Sequence, residues 1–395
     1  RRLASAACCC AVALAASLRQ EEACRALADE GVGSLSLLQR QRAAAPAFHV
    51  EQVSRVRGSL HFVHIPKCSG SSFSRVLERL ASEWNDNASR TPGMPPINYT
   101  HRPLRCIWKD NNTSILGRDP QCPDPRNITF LPEEVCGYNL NSIREQCGME
   151  EVTFLRDPID RIMSLYHYYY EIDTHVVRPE EYSPEDLAAR VSLNTCEDVD
   201  SLCDRGDVLL HYEKCWLWKR DCGIWVNHQV LALAGERPYE EDFEHRLRVA
   251  TGYLDKMPFF GLTEYYRNSI CLFLDIWFPD DTVHFDACCR GQQGCELVVA
   301  YNVAGNDDKR QEGDPLTEDY QDKFLSNRDS AQAMFDSSVY DCKLYTHALR
   351  VFRGRVGELE QRRGVLLDTV RVPADGADYC DERRRVVLGT APAAS

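Results

Sequence analysis

An α/β fold, with a parallel β-sheet flanked by helices and broken by Cys-rich insertions, is what this chain predicts. Three observations predict it. Two segments read in the order apolar strand, polar loop, amphipathic helix; both loops carry anion-binding residue types; and 395 residues suffice for one large domain plus flanks.

The first unit is His61-Phe-Val-His-Ile-Pro-Lys-Cys-Ser-Gly-Ser-Ser-Phe73. Leu60, Phe62, Val63 and Ile65 read as a buried strand, while Phe73, Val76, Leu77 and Leu80 recur at i, i+3, i+4 and i+7, one face of a helix. The loop between them therefore stands at a helix N-terminus, where unpaired N–H groups and the positive end of the helix dipole favour an anion. Gly70 permits close backbone approach, Ser69, Ser71 and Ser72 bring hydroxyls, and Lys67 brings a full charge. A Walker loop places its Lys after the glycines, whereas Lys67 precedes Gly70 by three residues, which argues against a nucleotide-binding kinase or NTPase. The bland alternative is a strand-turn-helix corner with a surface Lys.

The second unit begins with Val152-Thr-Phe-Leu155, a short apolar strand, and runs into Arg156-Asp-Pro-Ile-Asp-Arg161. Asp157 is placed to N-cap a helix with Pro158 at its first position, and Ile159, Ile162, Met163 and Tyr166 give that helix a buried stripe to about Tyr170. A planar, permanently charged guanidinium at a strand's carboxyl end suits phosphate better than an ammonium does.

His-Ile-Pro-Lys-x-x-Gly-Ser-Ser-Phe, followed by Arg-Asp-Pro with Ser164 eight residues after Arg156, resembles a known pair of motifs. The family is that of the sulfotransferases using 3′-phosphoadenosine 5′-phosphosulfate (PAPS), in particular the Golgi carbohydrate group of the heparan sulfate 2-O/6-O kind. The resemblance implies the P-loop-like sulfotransferase fold, PAPS as sulfuryl donor, a carbohydrate hydroxyl as acceptor, and neither metal nor covalent intermediate. It also implies that Lys67, Cys68, Ser69, Gly70, Ser71, Ser72 and Phe73 cradle the 5′-phosphosulfate, with Lys67 on the leaving oxygen, and that Arg156 and Ser164 grip the 3′-phosphate.

Asn227-His-Gln-Val-Leu-Ala-Leu-Ala-Gly235, Phe260-Gly-Leu-Thr-Glu-Tyr-Tyr-Arg267 and Tyr340-Asp-Cys-Lys-Leu-Tyr345 resemble later segments of the group, the last being the stretch before its final helix. Their apolar residues are read as core. The resemblance spans residues 58–353; residues 1–57 read as signal or anchor and stem, and 354–395 as a C-terminal extension, partly disordered, charged and Ala/Gly/Pro-rich from about Arg371. Residues 85–127, 178–225 and 286–318 read as insertions.

A general base is needed to take the acceptor's proton. Relatives place a His after a Gly just before the strand leading to Arg-Asp-Pro, but this chain has Cys136-Gly-Tyr138 there, which leaves a catalytically impaired PAP- or glycan-binding descendant as an alternative. His101 and Glu134, with Glu133 beside it, are the candidate replacements. His61 and His64 are expected on one face of the first strand, and Tyr166, Tyr168, Tyr169 and Tyr170 as packing rather than a sugar platform.

Composition points to the secretory route. Leu3 to Leu18 is almost without polarity, short for a membrane span and fitting a signal-peptide core or a weak signal anchor, so a Golgi membrane protein with a lumenal catalytic domain is expected. Five sequons, at Asn87, Asn98, Asn111, Asn112 and Asn127, crowd one region read as an exposed glycosylated loop. Of 19 Cys, 15 lie beyond residue 60, several in close pairs: Cys106 and Cys122, Cys136 and Cys147, Cys196 and Cys203, Cys215 and Cys222, and Cys288 or Cys289 with Cys295. These read as local disulfides, with Cys68 set aside as free; zinc-ligand spacing is absent. A net charge of −14 and a pI near 5.3 disfavour nucleic acid and make a neutral or lightly charged glycan the easier acceptor, although Arg102, Arg105 and Lys109 offer a local basic patch.

Overall fold

The structure, a computed structural model, describes residues 56–91, 93–99, 128–134, 148–172, 182–192, 226–234, 242–290, 295, 297, 320–374 and 376–389. The strands are β1 (Leu60–His64), β2 (Ile97–Tyr99), β3 (Ile128–Glu134), β4 (Glu150–Leu155) and β5 (Phe259–Leu262). Their apolar cores pair into a parallel sheet, β1, β4 and β5 being buried on nearly every residue, as an interior position requires. Every pairing among them is parallel, in the order β2-β3-β1-β4-β5.

The described helices are α1 (Gly70–Ala88), α2 (Pro158–Ile172), α3 (Pro184–Ser192), α4 (His228–Ala234), α5 (Phe243–Lys256), α6 (Tyr266–Trp277), α7 (Thr282–Cys289), α8 (Tyr320–Ser326), α9 (Arg328–Ser337), α10 (Val339–Arg363) and α11 (Tyr379–Leu388). The chain leaves β1 through α1 toward β2, and leaves β4 through α2 toward β5. Connections thus depart in opposite directions from two adjacent strands, and the crevice beyond their carboxyl ends is where such sheets bind ligands.

The core forms around aromatic rings supplied by alternate strand positions. Phe73 of α1 packs against Phe62, Phe154 and Phe273, with ring centroids 4.9, 4.8 and 4.9 Å away. Burial of a Phe side chain contributes about 1.5–3 kcal/mol. On the other face Phe260 meets Phe352 of α10, and a separate cluster joins α2 and α3 to α8 and α9 through Ile162, Tyr166, Leu187, Phe324 and Phe335.

The predicted stripe of α2 is buried throughout, Asp157 caps that helix as expected, and the helix extends to Ile172. Cys288 pairs with Cys295, Cys271 with Cys289 and Cys342 with Cys380, and Cys68 is free. The other close Cys pairs lie outside the described residues, as do the 3–18 segment, Glu133's and Glu134's side chains, His101 and Tyr138. No described helix is long and apolar enough to cross a membrane.

Four expectations are corrected. His61 and His64 occupy opposite faces, because three residues is an odd step in a period of two: His61 faces Glu151 (3.6 Å), whereas His64 lies over Gly70. Residues 85–88 end α1 and 97–99 form an edge strand rather than an insertion, since Asn85 brackets Ile97 with two hydrogen bonds of 2.7 and 2.9 Å to its backbone. The Asn87 sequon is accordingly buried on α1. Finally, the boundary at 353 falls inside α10, whose first turns contain Tyr340–Tyr345, and the expected disordered tail carries α11, fixed by the Cys342–Cys380 disulfide.

Candidate functional site

Between β1 and α1 the chain turns through two strained residues, Lys67 (φ 67°) and Ser69 (φ 58°), each in the left-handed region that disfavours a side chain. Such conformations cost about 1–3 kcal/mol each and persist only where surroundings impose them. Here Cys68 N–H donates to the Ile65 carbonyl (3.2 Å), and Ser69 Oγ donates to Thr263 Oγ1 (3.1 Å), which donates on to the Leu155 carbonyl (3.1 Å). Left-handed Ser69 running into right-handed α1 gathers successive N–H groups into one concavity, an anion nest at the positive end of a helix.

The loop residues divide between the nest and its foundations. Ser71 is exposed at the mouth, Ser72 is buried, and Phe73 belongs to the core, so Phe73 can serve an anion only through its backbone. The side chain of Cys68 is also turned inward, its Sγ 3.6 Å from Gln229 Oε1, and burial pushes the thiol up to about 12, so it stays protonated. Gly70 makes its close approach to the His64 ring: a Cβ there would lie 1.6 Å from His64 Cδ2. Lys67 is half-exposed, with Nζ 4.4 Å from the centre of the Tyr168 ring on α2.

Arg156 follows β4, the strand adjacent to β1. Its backbone is clasped by one amide side chain, Gln229, which accepts from Arg156 N–H (2.9 Å) and donates to the Arg156 carbonyl (2.8 Å). Gln229 is placed in turn by Asp341 of α10, which accepts from the N–H groups of Gln229 and Val230 at the start of α4. The guanidinium donates from Nη1 to the Lys67 carbonyl (3.2 Å), and its buried Nε has no hydrogen-bond partner. The two sequence motifs therefore meet. Ser164 lies half-buried further along α2, and Glu134 ends β3 with its Cα paired to that of His64, beside the loop's entrance.

Behind Arg156 lies an acidic group, of which Asp157 is buried. Asp157 N–H donates to Glu264 Oε1 (2.9 Å), and Tyr345 OH donates to Glu264 Oε2 (2.6 Å); burial, with the charge of Asp157 added, holds the Glu264 carboxyl up to about 7. Asp160 is raised for the same two reasons. Arg383 of α11 closes the group: Nη1 pairs with Asp157 Oδ2 and Nη2 with Asp160 Oδ1 (2.6 Å). Burial alone would lower its guanidinium, but these two charges raise it.

The chain matches no family model and no curated protein. Gln229, Thr263 and Glu264 stood in segments read as core, and Arg383 in a segment read as disordered. A signal for Gln229 was present, since it is polar within a run of buried apolar residues, where an unpaired polar group is costly. Among the described residues one Cys/Asp cluster is compact enough for a metal ion, Cys342, Asp378 and Cys380, and its two sulfurs are joined as a disulfide.

Proposed function

We propose that the protein is a PAPS-dependent sulfotransferase of the secretory pathway, a Golgi membrane enzyme whose lumenal domain transfers a sulfuryl group to a carbohydrate hydroxyl. The observation that carries this reading is the 3.2 Å bond from Arg156 Nη1 to the Lys67 carbonyl, which joins motifs 89 residues apart at the switch point of a parallel sheet. Two cationic side chains, a nest of N–H groups and an unpartnered buried Nε on Arg156 fit a ligand with separate 5′ and 3′ anionic groups.

PAPS, when bound, supplies the sulfuryl group. By analogy with phosphoryl transfer, the protein's work is positioning and charge stabilisation. Lys67 and the N–H groups at the start of α1 hold the negative charge that develops on the leaving 5′-phosphate, and Arg156, with Ser164, holds the 3′-phosphate. Glu134, whose backbone ends β3 opposite His64, and His101 are the base candidates. An NTPase reading fares worse, because a magnesium site wants a free carboxylate and Asp157 and Asp160 are both engaged by Arg383.

Transfer of label from sulfur-35 PAPS to a panel of glycans, with Lys67→Ala as control, tests the proposal. Labelling of at least one neutral or lightly charged glycan is expected, falling by more than about a hundredfold in Lys67→Ala, the scale of one transition-state charge contact. Binding of PAP without labelling of any acceptor would favour the impaired, binding-only descendant.

A further inference from the structure

Arg156 stands beside three carboxyl groups, those of Glu264, partly buried Asp160 and buried Asp157, yet it makes no ion pair with any of them and instead bonds to the Lys67 carbonyl. A guanidinium next to an uncompensated acidic group would turn onto it, since a buried unpaired charge is far costlier than a paired one. Both carboxylate oxygens of Asp157 are already engaged. Its Oδ1 accepts from Ile159 N–H (2.9 Å) and Asp160 N–H (3.2 Å), and its Oδ2 is held by Arg383. Asp160 is held by the other arm of the same guanidinium, and Glu264 has both oxygens filled by Asp157 N–H and Tyr345 OH.

Arg383 comes from the far end of the chain, 223 residues from Asp160. Its helix is tied down independently by the Cys342–Cys380 disulfide, by Asp378 capping Cys380 N–H (2.8 Å), and by Tyr379 N–H on Thr346 Oγ1 (3.0 Å). The fork geometry of a guanidinium suits it to two carboxylates at once, which an ammonium could not match.

We infer that Arg383 is a positioning residue for the anion site: by neutralising Asp157 and Asp160 it leaves the Arg156 guanidinium facing the cradle, and α11 with its disulfide is the strap that delivers it. The inference rests on the donor-site reading above in so far as the anion is PAP. A second consequence concerns redox state, because reducing Cys342–Cys380 releases the strap without touching any residue that meets the ligand.

The test uses full-length oxidised protein and two readouts. In the crystal structure of Arg383→Gln, Arg156 is expected to swing from the Lys67 carbonyl into ion-pair distance of Asp157 or Asp160. PAP affinity by titration calorimetry is expected to fall at least about tenfold, the worth of one charge-assisted bond. Arg383→Lys should lose less, and Arg383→Gln/Asp160→Asn should regain part of the loss, since one of the two competing charges is gone. A merely structural role would leave the double variant as weak as the single one. An Arg156 that stays on Lys67 in Arg383→Gln overturns the inference whether or not PAP binds, whereas an unliganded wild-type titration counts against the proposed function alone.

Discussion

Gly70 and His64 compete for one volume, and that competition fixes how the loop leaves β1. With any Cβ at position 70 the His64 ring must move, and overpacking of this kind costs about 1–3 kcal/mol. Gly70→Ala is therefore expected to lower thermal stability, and Gly70→Ala/His64→Ala to recover it; a double variant no more stable than Gly70→Ala would show that the clash is not the cause. Lys67, Gly70 and Arg156 were legible in the sequence because their chemistry is local: a cation or a glycine in a turn after an apolar strand. Gln229, Thr263 and Glu264 were not, because each acts on a loop delivered by another strand, 73 residues away in the case of Gln229 and Arg156.

Helix α7 is joined to α1 by His284, both of whose ring nitrogens are engaged, Nε2 with Glu83 (2.8 Å) and Nδ1 with Asp281 (2.6 Å), while Arg79 also reaches Glu83 (2.8 Å). Burial opposes the imidazolium, but the hydrogen bonds and charges of Asp281 and Glu83 prevail and raise it to about 9. A His raised from 6.5 to about 9 stabilises the fold fully below the unfolded value and loses that contribution as pH rises through the folded one. The difference corresponds to ~3 kcal/mol. Chemical denaturation of wild type against His284→Ala should show a gap that is wide at pH 6 and narrows by pH 10 (about those values); a gap independent of pH would contradict the charged pairing. At this scale β1, α1, β4 and α2 were readable from period and capping, whereas α11 was not. Its run of Asp, Glu and Arg reads as solvated until Cys342 and the carboxylates of α2 are known to lie beside it.

For the whole molecule, parallel pairing followed from strands that are apolar on both faces and separated by helices, but strand order did not, because nothing local says that β3 and β4 flank β1. The order matters, since it makes the β1–β4 boundary a switch point and brings Lys67 and Arg156 together. Three disulfides cross-link the described residues. The central claim is that this junction is a donor site for a bis-anionic nucleotide. Titration calorimetry with PAP tests it most directly. Saturable binding is expected in the wild-type protein, weakened at least about tenfold in both Lys67→Ala and Arg156→Ala. No heat of binding in the wild type, or equal affinity in all three proteins, would contradict the account.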